Sequence, residues 1–179
     1  LHGNEYTVAE ADEFDRSFLR LSPNIACITS MDADHLDIYG DEQHLIEGFH
    51  QFAGKIKEGG SLIVRNGLAI AGETFGLEDD SDYSFQHIRI VDGVYHFDFK
   101  YKGGIYKDYT FLKPGRHNLL NALAAVSMAV KAGFAPEALL PHLATFKGVK
   151  RRFSYIIKQK NRVFIDDYAH HPSEINALY

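Results

Sequence analysis

The densest group of residues that could carry chemistry lies just after an apolar run, residues 24–30, that is typical of a buried strand. It contains Asp32, Asp34, His35 and Asp37. Ligands bind at the carboxyl ends of parallel strands, and carboxylate oxygens are the donors that Mg²⁺ prefers. The cluster therefore predicts a divalent-cation site, while a polar loop with an Asp helix cap stays open.

A second acidic segment, residues 10–15, contains Glu10, Asp12, Glu13 and Asp15. It follows residues 6–10, which we predict to be a strand, so the two acidic segments can meet at one sheet edge. Neighbouring carboxylates repel each other unless a cation or an arginine neutralises them. The pair of segments makes the metal site and the polar loop equally acceptable interpretations.

Two asparagines, Asn118 and Asn121, lie three residues apart at the start of a predicted helix and so share one face. A side-chain amide donates and accepts at once, which suits the edge of a purine. The alternative is that Asn118 caps the helix and Asn121 faces solvent.

Arg152 and Asp167 form a further pair, Arg152 in a doubled arginine and Asp167 just after a predicted strand. An aspartate there can accept ribose hydroxyls, and an arginine can contact phosphate or stack on a base. The alternative for this pair is a surface salt bridge, and the neighbouring His170-His171 can be structural. Residues 147–162 hold seven basic side chains and no acid, which fits a solvated hairpin or a contact for an anionic ligand.

Glycine-rich phosphate loops are absent from the sequence. It contains neither Gly-x-x-x-x-Gly-Lys-[Ser/Thr] nor Gly-x-Gly-x-x-Gly. If the protein binds a nucleoside triphosphate, the phosphate cradle is not in these residues.

The elements that must position these groups indicate an α/β fold, with a mostly parallel sheet flanked by helices and a small antiparallel meander of three strands. Apolar runs and turn residues delimit each element. We predict strands at 6–10, 24–30, 61–65, 85–91, 94–100, 105–112, 153–158 and 162–165, and helices at 42–57, 117–132 and 136–146.

Composition narrows the class of protein. The 179 residues are 45% hydrophobic and 24% charged, a globular balance, and the net charge of −5 argues against binding nucleic acid or anionic membranes. A single cysteine, Cys27, and the lack of a long apolar segment favour a cytoplasmic protein. Because both ends fall inside predicted elements, we expect a fragment of a longer protein.

Together these motifs resemble the Mur ligase family, the ATP-dependent amide ligases of peptidoglycan synthesis. The resemblance rests on Glu10–Phe18, Asp32–Asp37, Gly115–Ala122, Arg151–Phe153 and Asp166–Pro172. It covers nearly the whole chain and implies a central ATP-binding domain, residues 1–165, followed by the start of the C-terminal substrate domain, residues 166–179. Within the family, Glu10–Phe18, Asp32–Asp37 and Asp166–Pro172 are most similar to the member that joins L-alanine to UDP-N-acetylmuramate.

The resemblance also implies roles for individual residues, with ATP and Mg²⁺ as cofactors. Glu10 and His35 match the catalytic residues that hold magnesium, and Asn118 and Asn121 match the asparagines beside adenine. Arg152 matches the nucleotide arginine and Asp167 the ribose aspartate. Tyr168 and His170 match the positions where the amino-acid substrate is received.

Two departures from the family pattern stand out. Several members carry a carbamylated lysine where this sequence offers His50 and Gln51, and Ala169 replaces the usual glycine. Without a phosphate loop, we expect the isolated chain to be inactive. Two alternatives remain for the function. One is a related ligase that recycles muropeptides, and the other is a metal-dependent hydrolase whose ligands are Glu10, Asp34, His35 and Asp37.

Overall fold

The computed structural model describes residues 5–32, 39–169 and 175, together with the backbone but not the side chain of Glu42. The chain divides into two compact units, Leu1–Gly72 and Glu73–Tyr179. No helix within the described residues has the length and hydropathy that a membrane crossing requires.

The first unit contains a strand–helix–strand motif. Strands β1 (Ile25–Ile28) and β2 (Ser61–Arg65) pair in parallel, and helix α1 (Glu42–Ala53) lies between them in sequence. The Asp41 carboxylate accepts the backbone N–H of His44 at 2.9 Å and so caps the helix. The predicted helix runs to residue 57, but the observed one stops at Ala53, with Gly54 as its C-cap.

Phe18 anchors the core of the first unit. It belongs to a short 3₁₀ helix, Phe14–Arg20, and its ring centroid lies 5.6 Å from that of Phe49 and 5.1 Å from that of Phe52. The strand predicted at 6–10 is wrong: these residues lie in an exposed segment without regular structure, and the Val8 side chain is 72% exposed. A run with strand propensity forms a strand only where a neighbouring strand pairs with it.

The second unit carries strands β3 (Glu73–Leu77), β4 (Tyr83–Val91), β5 (Val94–Tyr101) and β6 (Gly104–Phe111) in that spatial order. Strands β4, β5 and β6 form the predicted antiparallel meander. The turns at Asp92-Gly93 and Lys102-Gly103 have positive φ at both central residues, the geometry that matches strand twist in two-residue hairpins.

Strand β3, which the sequence pattern did not predict, pairs in parallel with β4 through a connection of only residues 78–82. Carboxylates hold this connection. Asp82 accepts the backbone N–H of Thr74 at 2.7 Å, and Asp79 accepts that of Ser81 at 2.9 Å. A Cβ on Gly76 would lie 1.9 Å from the Asp79 carboxylate, so any larger residue there would displace this carboxylate.

Helix α2 (Arg116–Lys131) packs against β3 and β4 with Leu119 and Leu123 fully buried, and Lys131 pairs with Glu73. The next predicted helix forms as α3 (Pro136–Leu139) and a 3₁₀ helix, Leu140–Thr145, because Pro141 cannot donate a helical hydrogen bond. Strands β7 (Ser154–Gln159) and β8 (Arg162–Asp166) form the predicted hairpin. The α/β class is confirmed, with mixed strand pairing.

Two β-bulges of the meander meet at one carboxylate. Asp98, in the central strand β5, is 9% exposed; its Oδ2 lies 2.9 Å from His87 Nδ1, and its Oδ1 accepts the Asp108 N–H at 3.0 Å. His87 and Asp108 both have positive φ. Burial raises the pKa of Asp98, but the hydrogen bonds from His87 and Asp108 outweigh it, so the pKa lies below its usual value.

Asp98→Asn removes the negative charge that these two donors share. We expect the free energy of unfolding to fall by about 2 kcal/mol at neutral pH, since hydrogen bonds to charged groups contribute about that much. Because the pKa of Asp98 is lowered on folding, its contribution is complete above the ordinary value of 3.8 and is lost as the pH falls toward the folded-state pKa. Urea unfolding at neutral and acid pH measures both effects.

The matched control is Asp92→Asn, in the exposed β4–β5 turn, where asparagine tolerates the left-handed backbone. It should change the unfolding free energy by less than about 0.5 kcal/mol. Equal stability of the Asp98→Asn and Asp92→Asn variants at neutral pH would contradict the prediction.

Candidate functional site

In the acidic segment 10–15, the Asp12 side chain makes a local hydrogen bond, whereas Glu10 is exposed. Asp12 Oδ1 accepts the backbone N–H of Phe14 at 2.9 Å, and the Asp12 carbonyl accepts the N–H of Phe18 at 3.0 Å. Asp12 therefore closes the turn that leads into the short 3₁₀ helix, whose N-cap is Glu13. Glu10 precedes this turn in the extended segment and is exposed.

The second acidic cluster is only partly described. The Asp32 backbone N–H donates to Ser30 Oγ at 3.0 Å. Asp34, His35 and Asp37 lie outside the described residues. The predicted role of His35 therefore stays a prediction.

Tyr39 connects the end of this cluster to the first acidic segment. Its hydroxyl donates to the Glu13 carbonyl at 2.7 Å, and the Arg16 guanidinium carbon lies 5.0 Å from its ring centroid. Tyr39 is 3% exposed, and burial raises the pKa of its hydroxyl. Tyr39, two residues after Asp37, thus contacts the acidic segment 10–15. The spacing of residues in the sequence does not reveal this contact.

The donor set of this region fits magnesium. Glu10 offers exposed carboxylate oxygens, the hard ligands that Mg²⁺ binds while keeping several waters. Within residues 5–32, 39–169 and 175, no three Asp, Glu, His or Cys side chains converge as a complete metal site. A magnesium ion held by one or two carboxylates plus substrate phosphates needs no such protein cage.

Helix α2 starts at the predicted asparagine pair. Gly115, at φ 93°, is the N-cap, and no side chain caps the helix, so the alternative in which Asn118 is the cap is wrong. Asn118 Nδ2 instead donates to the Pro114 carbonyl at 2.6 Å. Asn121 lies one turn further along and is exposed, with a side-chain amide that both donates and accepts.

The structure brings the doubled arginine to Asp167. The Asp167 carboxylate accepts the backbone N–H of Phe153 at 2.7 Å and that of Ala169 at 2.8 Å, one on each oxygen. Phe153 directly follows Arg152, so these contacts fix the predicted nucleotide arginine and the predicted ribose aspartate in one loop pair. A carboxylate has about four acceptor positions, and two remain for other donors.

Tyr168, one of the predicted substrate residues, is 51% exposed and lies under Arg151, whose guanidinium carbon is 4.5 Å from the ring centroid. His170, the other, lies outside the described residues. The sequence does not predict the contact between Arg151 and Tyr168. The doubled arginine at 151–152 is the sequence feature that could have suggested a role for Arg151.

Cys27 lies in strand β1 and is the only thiol of the chain. Burial raises its pKa to about 12. Because the thiolate is the nucleophile, this thiol is unsuited to covalent catalysis at neutral pH.

Comparison with known proteins identifies the class. A family model described as the Mur ligase middle domain matches residues 2–129. The chain belongs to this family, which confirms the resemblance seen in its motifs.

Individual relatives narrow the comparison. The UDP-N-acetylmuramate–L-alanine ligase of Christiangramia forsetii is 55% identical over 179 residues, all of this chain and 40% of the relative. That of Flavobacterium psychrophilum is 54% identical over 177 residues, 99% of this chain and 40% of the relative. The chain thus spans about two fifths of the length of the relatives it matches.

Solved structures share the fold. The crystal structure of UDP-N-acetylmuramate–alanine ligase from Thermotoga maritima has a TM-score of 0.77 and 28% identity, over 91% of this chain and 39% of that one. A MurF ligase of the same organism, in complex with ADP, has a TM-score of 0.74, over 91% of this chain and 40% of that one. At 16% identity the MurF likeness shows the fold alone.

The raised pKa of Cys27 predicts slow alkylation of the native chain. Relative to an ordinary thiol of pKa 9.0, a pKa of about 12 lowers the thiolate fraction roughly a thousandfold. Iodoacetamide labelling followed by mass spectrometry measures the rate, with the urea-unfolded chain as the control. A native rate within about tenfold of the unfolded rate would contradict the burial of this thiol.

Proposed function

We propose that the parent protein of this chain is the ATP-dependent ligase that joins L-alanine to UDP-N-acetylmuramate. The observation that carries this proposal is the 55% identity to a relative of that name along the whole chain. The chain supplies about two fifths of such a protein, so the substrates and the activity belong to the parent. We propose that residues 1–165 belong to its ATP-binding domain and residues 166–179 to its C-terminal substrate domain.

Asp167 and Arg152 are proposed to bind the nucleotide. Both Asp167 oxygens are already oriented by backbone N–H groups, which supports a fixed acceptor for the two ribose hydroxyls. Arg152, next to Phe153 in the same turn, is proposed to lie against the nucleotide, since a planar guanidinium stacks on a base or pairs with phosphate.

The start of helix α2 is proposed to contact adenine. Asn118 uses one amide hydrogen on Pro114, which leaves its oxygen and its second hydrogen for a ligand. The exposed Asn121 has its amide at the surface of the same helix face and is the better-placed adenine contact.

Glu10 and His35 are proposed as the residues that hold magnesium. When bound, Mg²⁺ would neutralise the negative charge that develops on the transferred oxygens. The contact between Tyr39 and Glu13 supports a common location for the two acidic segments.

The proposed reaction needs no covalent nucleophile from this chain. The muramoyl carboxylate takes the γ-phosphoryl group of ATP and ADP leaves; the alanine amine then attacks the acyl phosphate, and phosphate leaves as the amide forms. Tyr168 and His170 are proposed to receive the amino acid. Because the reaction consumes ATP, we propose a cytoplasmic location.

The other candidates have less support. The relatives that match along the whole chain are named for the L-alanine ligase, and none of these names is that of a stand-alone metal hydrolase. The muropeptide-recycling ligase would accept a peptide in place of L-alanine. Incubating the parent protein with UDP-N-acetylmuramate, ATP and either L-alanine or a tripeptide separates these candidates, and we expect an amide product and phosphate with L-alanine only.

Glu10→Ala in the parent protein should lower turnover by about two orders of magnitude or more, because a lost metal ligand weakens charge stabilisation in the transition state. The fold should be unchanged, since the Glu10 side chain is exposed. Steady-state ligation at ordinary magnesium, with circular dichroism for the fold, measures both.

Glu58→Ala is the matched control, since Glu58 is also exposed and lies in the same unit. It should keep wild-type turnover. Near-wild-type turnover of Glu10→Ala would remove Glu10 from the magnesium site without affecting the assignment of the ligase.

The 179-residue chain by itself should neither hydrolyse ATP nor form the amide, because it holds no glycine-rich phosphate loop. Phosphate release from ATP, with and without both other substrates, measures this. The parent protein under the same conditions is the positive control, and steady turnover by the purified chain would contradict the prediction.

A further inference from the structure

Residues 149–153 and 167–169 form a closed pair of loops. The Tyr168 backbone N–H donates to the Arg151 carbonyl at 2.8 Å, and the Arg151 guanidinium carbon lies 4.5 Å from the Tyr168 ring centroid. The Arg151 backbone and its side chain therefore both contact Tyr168. We name these two loops the Arg151 clasp.

The clasp holds backbone conformations that are costly on their own. Arg151 and Phe153 have φ of 59° and 49°, a left-handed region that bulky residues rarely adopt. Such conformations persist where the surroundings fix them. Here the Arg152 N–H donates to the Val149 carbonyl at 3.2 Å, and the Phe153 N–H donates to Asp167.

We propose that Arg151 is a positioning residue for the nucleotide contact of Asp167. Its guanidinium packs on Tyr168, directly after Asp167, and this keeps the Phe153 and Ala169 N–H groups on the two carboxylate oxygens. The carboxylate then presents its remaining acceptor positions in one orientation. The inference rests on the proposed function, in which Asp167 accepts the ribose hydroxyls.

In this proposal the adjacent residues Arg151 and Arg152 have different roles. Arg152 is the proposed nucleotide contact, whereas Arg151 acts through Tyr168 and Asp167. A planar guanidinium stacks on a ring in a way that a lysine ammonium does not reproduce. Arg151→Lys should therefore restore only part of what Arg151→Ala removes.

The experiment uses the parent protein with Arg151→Ala, Arg151→Lys and the control Lys150→Ala, which removes an exposed charge from the same turn. The first measurement is hydrogen exchange at Phe153 and Ala169. We expect faster exchange at both amides in Arg151→Ala, an intermediate rate in Arg151→Lys, and wild-type rates in Lys150→Ala.

The second measurement is ADP affinity by calorimetry, together with KM for ATP and kcat. Arg151→Ala should weaken ADP binding and raise KM roughly two- to fivefold, the effect of one exposed cation–π contact, while kcat stays near the wild-type value. Tyr168→Leu, which removes the ring, should match Arg151→Ala in exchange, and the double variant should exchange no faster than either single one.

Unchanged exchange at Phe153 and Ala169 in both Arg151→Ala and Tyr168→Leu would overturn the positioning role, whatever the activity. Faster exchange in a parent protein that binds no ADP would contradict the proposed function but not the clasp. Faster exchange with unchanged ADP affinity, in a parent that binds ADP, would show that the clasp does not serve the nucleotide and would overturn the proposal.

Discussion

Carboxylates that accept backbone N–H groups fix the turns of this protein. Each of these turns leaves N–H groups without a partner in regular structure, and a buried or half-buried N–H needs one. Short acidic side chains supply it before the first 3₁₀ helix, at the start of helix α1, in the β3–β4 connection, at the β5–β6 bulge and in the Arg151 clasp. The residues concerned are Asp12, Asp41, Asp79, Asp82, Asp98 and Asp167. Much of the acidic excess is therefore structural.

The regular elements were predictable where the pattern is long and its ends are marked. Helix α2 lies within one residue of its predicted bounds, because glycines flank an apolar helical pattern. The meander was predictable from its two glycine turns. The segment 6–10 shows the limit of such patterns, since an apolar run indicates a strand but cannot supply a partner strand. Strand β3 was missed because five residues that include a glycine give no clear period, and its pairing depends on carboxylates from a loop.

The candidate site was predictable as a set of residue types and only partly as an arrangement. Motif order predicts nucleotide contacts at Asn118, Arg152 and Asp167, yet the hydrogen bonds that orient these residues depend on the local backbone. Asn118 donates to the Pro114 carbonyl and does not cap helix α2, the alternative that the sequence left open. Asp167 accepts the backbone N–H groups of Phe153 and Ala169. Tyr39 and Arg151 act through contacts with residues distant in sequence, which no local pattern encodes.

The β3–β4 connection has a consequence for how the sequence of this protein can vary in length. Parallel neighbours are ordinarily joined by a crossover of a dozen or more residues, which tolerates insertions. Here residues 78–82 join β3 to β4; Asp79 accepts the Ser81 N–H within this connection, and Asp82 accepts the Thr74 N–H in β3. An inserted or deleted residue would move each carboxylate past its N–H partner and shift the strand register. Substitutions can accumulate in such a loop far more readily than changes in its length.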